Sequence, residues 1–147
     1  MCFRALCESY LQQGRLKERL LERDELINEL LIPIYNYSRD GEGVPDFSAH
    51  NLATLFLAFS IGAKVDLTLP FNNDESRQYF ELGRAALSLS PVLNSPELTT
   101  VQALALLAFC HTHGGGKEDI NTASVLIGVA VKCAESVSSI LLSQAQD

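Results

Sequence analysis

Apolar residues along this chain recur at intervals of three and four rather than two, which predicts abundant helix and little strand. A first helix is expected over residues 3–13, ending at Gly14. The next apolar series is Leu20, Ile27, Leu31 and Ile34, with Asp24 and Glu25 near the start of its best helical part. Pro33 lies inside that series, so the helix is expected to kink or stop there. Residues 37–46 gather Ser, Asp, Gly and Pro and read as a loop. A long apolar helix follows over 47–65, then a turn over 70–74, with Asn73 or Asp74 as the cap of the next helix.

Three further helical segments occupy residues 79–137. In the first, Phe80, Gly83 and Leu87 fall on one face. The second, over 100–109, is apolar on nearly every side and is expected to be buried all round. Ser95-Pro96-Glu97 marks its start, with Ser95 as the cap, and Gly114-Gly115-Gly116 its end. The third begins near Glu118-Asp119. Its stripe of Ala123, Leu126, Ile127, Ala130, Ala134 and Val137 has the spacing of a packed face. Gly128 and Ala130 are expected to admit a neighbouring helix closely. The fold class is therefore all-α: an irregular bundle of about five to six helices.

Length and charge narrow the function. The 147 residues suffice for one domain. A net charge of −7 argues against direct nucleic-acid binding, which needs clustered Lys and Arg. The basic run Arg15, Lys17, Arg19 and Arg23 is interleaved with Glu18, Glu22, Asp24 and Glu25, and reads as a solvated face. Four scattered cysteines form neither a metal-binding pair nor a disulfide framework, a pattern that suits a reducing compartment. The longest candidate membrane span starts at Leu52 and is broken by Ser60, Lys64 and Asp66, so no membrane association is expected.

Chemical motifs are sparse. Cys110-His111-Thr112-His113 contains zinc-ligand types, yet no second cluster completes four ligands, and histidine also suits a helix C-terminus. Gly114-Gly115-Gly116-Lys117 imitates the tail of a phosphate loop, but His111 and Glu118 occupy the positions where glycine and Ser or Thr are needed. No nucleophile elbow or placed triad exists, so an enzyme is not expected. Arg84 and Gln102 are the polar residues of interest: each would contact a ligand between helices, or else Gln102 bonds a neighbouring helix end and Arg84 pairs with an acid.

The three segments together resemble the middle homology region of fungal-specific transcription factors, which accompanies a six-cysteine binuclear zinc cluster. Gly83, Arg84 and Leu87 match its first motif; Thr100, Val101, Gln102, Ala103, Leu104, Leu106 and Ala108 match the second; Gly128, Ala130, Lys132 and Ala134 match the third. Ser124 stands where that family usually has tryptophan. The resemblance implies the N-terminal part of a regulatory domain over 1–137, followed by a divergent tail over 138–147. It implies a nuclear protein acting in transcription regulation through protein partners or a small-molecule effector. DNA binding and zinc would belong to a cysteine cluster missing from this chain, and the matched residues would pack helices. Because the family domain continues with further helices, the isolated chain is expected to self-associate, with residues 140–142 folding back as a lid. The alternative is a helical protein-interaction module unrelated to transcription.

Overall fold

The computed structural model describes residues 3–12, 20–43, 45–66, 68, 70, 73–113 and 117–146. Of the described residues, 80% are helical, in six α-helices and one π-helical turn, and none is in a strand. They are α1 (Phe3–Leu11), α2 (Ile32–Asp40), α3 (Ala49–Val65), α4 (Asp74–Ser88), α5 (Leu98–Thr112) and α6 (Lys117–Ala145).

The chain enters α2 through a π-helical turn over Glu25–Leu31, where the Ile32 N–H reaches back five residues to the Ile27 carbonyl. Pro33 therefore neither ends nor breaks the helix. It sits in the first turn of α2, where a missing N–H is tolerated, and the wider π turn precedes it. Helix continues to Asp40 and is closed by Gly41 at φ 62°, so the expected loop over 37–46 begins four residues late.

Helix α3 is the hub. Eleven of its seventeen residues are buried, and α1, α4 and α5 all pack against it. Ser48 starts it by accepting the Asn51 N–H at 3.2 Å. Where α1 crosses, Gly62 brings the backbones together: a Cβ there would collide with the Leu6 carbonyl. Where α4 crosses, Gly83 makes room for Leu57, whose Cγ and Cδ2 would lie 2.8 Å from an added Cβ. Reciprocal hydrogen bonds reinforce this second crossing. The Ser60 hydroxyl donates to the Ser76 carbonyl and the Ser76 hydroxyl to the Ser60 carbonyl, each at 2.8 Å. Asn73 caps α4 by accepting the Ser76 N–H at 2.7 Å.

The cap of α5 differs from expectation. Ser95 and Pro96 lie upstream, and Glu97 is the N-cap, in a capping box with Thr100. The Thr100 hydroxyl accepts the Glu97 N–H at 2.9 Å, and the Glu97 carboxylate, not the Ser95 hydroxyl two residues upstream, accepts the Thr100 N–H in return. Helix α5 ends at Thr112, in front of the glycine triplet, which lies outside the described residues along with Arg15, Lys17 and Arg19. The described member of that basic run, Arg23, forms an ion pair with Glu8.

Helix α6 departs most from expectation. It runs without interruption to Ala145, because residues 138–142 contain neither glycine nor proline, so Ile140, Leu141 and Leu142 form no lid and stay exposed. Its packed line is Ala123, Ala130 and Cys133, flanked by Leu126 and Val129, while Ile127 points away from the core. Gly128 faces open space: a Cβ added there would meet no atom within 4 Å, so this glycine mediates no close approach. The long apolar stretch also lies here rather than at Leu52. Residues Glu118–Ala145 have a mean hydropathy of 1.8 over their best window and are long and apolar enough to cross a membrane.

Candidate functional site

Of the residues singled out in sequence, most are structural. Thr100, Ala103, Leu104, Gly83, Leu87 and Ala130 are buried in helix contacts. Val101 and Ala134 are half-buried, and Gly128 and Lys132 exposed. Gln102 donates its amide to the Leu20 carbonyl at 3.1 Å, tying α5 to the approach to the π turn. Arg84 pairs with Glu81 at 3.3 Å and lies over the Phe80 ring, 5.7 Å from its centroid. Neither Gln102 nor Arg84 lines the cavity described below.

A polar network that the sequence did not announce centres on His50, which is buried on α3. Its Nε2 lies 3.1 Å from the Ser90 carbonyl and its Nδ1 2.6 Å from the Thr100 hydroxyl. A carbonyl only accepts, so Nε2 carries the proton and Nδ1 accepts from Thr100. The Thr100 oxygen in turn accepts the Glu97 N–H at 2.9 Å. Thr54 completes the join by donating to the carbonyls of His50 and Thr99. Every member has a partner, so the network positions α3, the 89–97 connection and α5 rather than awaiting a ligand.

One cavity of about 320 Å³ lies among α3, α4, α5 and α6, lined by Ser60, Lys64, Arg77, Cys110, His111 and Asp119 among others. Here the Cys110-His111 pair meets an acid that periodicity alone could not assign to it. His111 Nδ1 is 3.1 Å from Asp119, and the ring meets Phe80 edge-on at 5.4 Å. This places a thiol, an imidazole and a carboxylate in one cleft.

The thiol is not activated. Burial pushes Cys110 up to about 12, against the smaller opposing effects of Lys64 and a hydrogen bond with Ser60. A nucleophilic cysteine needs the reverse shift. Other polar groups already serve the fold: Ser60 and Ser76 clasp each other, Asn73 donates to the Ala63 and Pro70 carbonyls, and Lys64 donates to the His113 carbonyl. His113 is turned toward the Phe109 carbonyl. Among the described residues no three His, Cys, Asp or Glu gather in a way that would hold a metal ion. In the cleft lining Lys64 and Arg77 are balanced by Glu81 and Asp119.

Comparison with known protein families, with curated proteins and with solved structures returns no match.

Proposed function

We propose that this chain is a regulatory helical region of the fungal transcription-factor kind, acting through contacts with a protein partner, with DNA binding supplied by a zinc cluster outside it. The observation that carries the interaction role is the open face of α6. Ile120, Ile127, Val131, Leu141 and Leu142 are all exposed along one side of the 29-residue helix. Apolar area of that extent on a protein surface marks an interaction site. The transcriptional part rests on the resemblance of α4, α5 and α6 to the middle homology region. Its matched residues at Gly83, Thr100 and Gln102 act at helix contacts, in keeping with a packing role.

The test is a reporter assay in which the chain is fused to a heterologous zinc-cluster DNA-binding module and an activation segment. The expected result is a several-fold change in reporter output that disappears when Val131→Glu places a charge on the α6 face. Output identical with and without the chain would instead favour the interaction module unrelated to transcription, for which the same open face is the supporting observation.

A further inference from the structure

Helix α6 has two apolar faces. One packs on α5 through Ala123, Ala130 and Cys133. The other lies about a quarter-turn round the helix at 100° per residue. It carries Ile120, Ile127, Val131 and Leu141, which are 58%, 52%, 52% and 59% exposed. Ser124, Ala134 and Ser138 fall between them and Ala145 follows, three exposed and Ala134 half-buried. The combined spacing alternates four and three residues from 120 to 145, which is the seam of a two-stranded coiled coil. No charged side chain occupies any position of that seam.

We propose that α6 pairs along this seam, antiparallel, with α6 of a second copy of this chain. The inference rests on the reading of α6 as the interaction surface and names its occupant. In the antiparallel register Ile120 faces Ala145 of the other copy, Ser124 faces Leu141, Ile127 faces Ser138 and Val131 faces Ala134. Each layer sets a large residue against a small one, the arrangement that fills space at facing helix positions. Two-fold symmetry repeats each layer, so one sequence supplies both sides. In a parallel pair every residue would face its own copy. Ser124, Ala134 and Ser138 would then leave gaps between layers of Ile and Val, and such voids are destabilising.

The far end of α6 selects the same occupant. Beyond Val137 every described residue is exposed, and the antiparallel register lays residues 138–145 along 120–127 of the other copy, the stretch backed by α5. Covering the seam removes on the order of 500 Å² per copy, less than the roughly 800 Å² per partner of a standard interface. The pairing is therefore expected to be reversible and concentration-dependent. A lipid bilayer fits less well. Lys132 and Glu135, paired at 3.4 Å, sit in the middle of the apolar stretch, where a bilayer centre disfavours charge.

Sedimentation of the full chain across a concentration series tests the pairing. A monomer–dimer equilibrium is expected, weakened at least tenfold by Val131→Glu. Val125→Glu lies on the opposite side of the helix at a site 67% exposed, and is expected to leave the equilibrium unchanged. For orientation, a tagged Ser124→Cys chain is mixed with an untagged Leu141→Cys chain under mild oxidation. The mixed disulfide is expected, with little Ser124→Cys homodimer. A strict monomer at high concentration, association equally lost in both glutamate variants, or self-linking of Ser124→Cys would overturn the proposal. So would a chain that is monomeric in water but floats with neutral phospholipid vesicles. A monomer that still shifts the reporter would sink the pairing while leaving the regulatory role intact.

Discussion

At the scale of single residues, three helical glycines with similar surroundings in sequence have different fates in the fold. Gly62 sits under the Leu6 carbonyl, Gly83 against the Leu57 side chain and Gly128 against nothing within 4 Å. Gly62→Ala must move a backbone and is expected to cost about 3 kcal/mol. Gly83→Ala displaces a flexible side chain and regains helix propensity, so its net loss is about 1 kcal/mol or less. Gly128→Ala meets no obstacle and is expected to stabilise by about 0.5–1 kcal/mol. Urea titration of the three variants checks the order, and a destabilised Gly128→Ala would contradict the open environment. Only Gly83 was correctly legible in sequence, because its motif included Phe80 and Leu87 on the same face. Gly62 lies in an almost wholly apolar run where no face stands out, and its partner is more than fifty residues away. Two weak acids, the buried Tyr10 and the half-buried Cys110, give a second expectation. Burial pushes Tyr10 up to about 12, with the Leu21 backbone a weaker opposing influence, and Cys110 also to about 12. Both groups hold their protons more firmly folded than unfolded, so their contribution is complete below about pH 9 and is lost as pH rises toward 12. The urea midpoint should fall between pH 9 and 11, and Cys110→Ala should flatten that fall. A midpoint independent of pH over that range would refute the assignment.

At the scale of elements, periodicity located helices well and their junctions poorly. The spans of α3 and α4 follow from apolar runs opened by short polar caps, which are local signals, whereas α5 opens on Glu97, two residues after the expected Ser95. The π turn before Pro33 was not legible, since an extra residue in one helical turn changes spacing by less than the scatter of apolar positions. The His50 join was not legible either, because its partners Ser90 and Thr100 meet it only once α3 and α5 are side by side. The candidate cleft was half legible: Cys110-His111 stands out in sequence, but Asp119 reaches His111 only across the connection between α5 and α6. For the same reason the His50 network is where α3 and α5 are most vulnerable. His50→Leu keeps the volume roughly similar but leaves the buried Thr100 hydroxyl hydrogen without an acceptor, at about 1–3 kcal/mol, and removes the donor to the half-buried Ser90 carbonyl. The expected loss is roughly 2–4 kcal/mol by thermal or urea unfolding, whereas Thr112→Ala, at the exposed end of α5, should change stability by less than about 1 kcal/mol.

At the scale of the whole molecule, the helices divide between a hub and an outrigger. Helices α1, α4 and α5 surround α3, while α6 rests on α5 and extends past its last buried residue, Cys133. Ending the chain after Val137 is therefore expected to leave the melting of the body nearly unchanged while abolishing association; a collapsed melt would show that residues 138–146 support the core. The fold class was legible at this scale because composition and period both favour helix. The exposure of α6 was not, since an apolar stripe looks the same whether its cover belongs to the chain or to another molecule. One consequence concerns the helix itself. A helical end of about eight residues has too few internal bonds to hold its shape alone in water. Its order then becomes a function of how much protein is present: dilution should fray the last two turns, their amides exchanging within the dead time, and crowding the molecules together should wind them up again. The circular dichroism signal per residue would deepen with concentration, so that the protein reports its own abundance in its backbone.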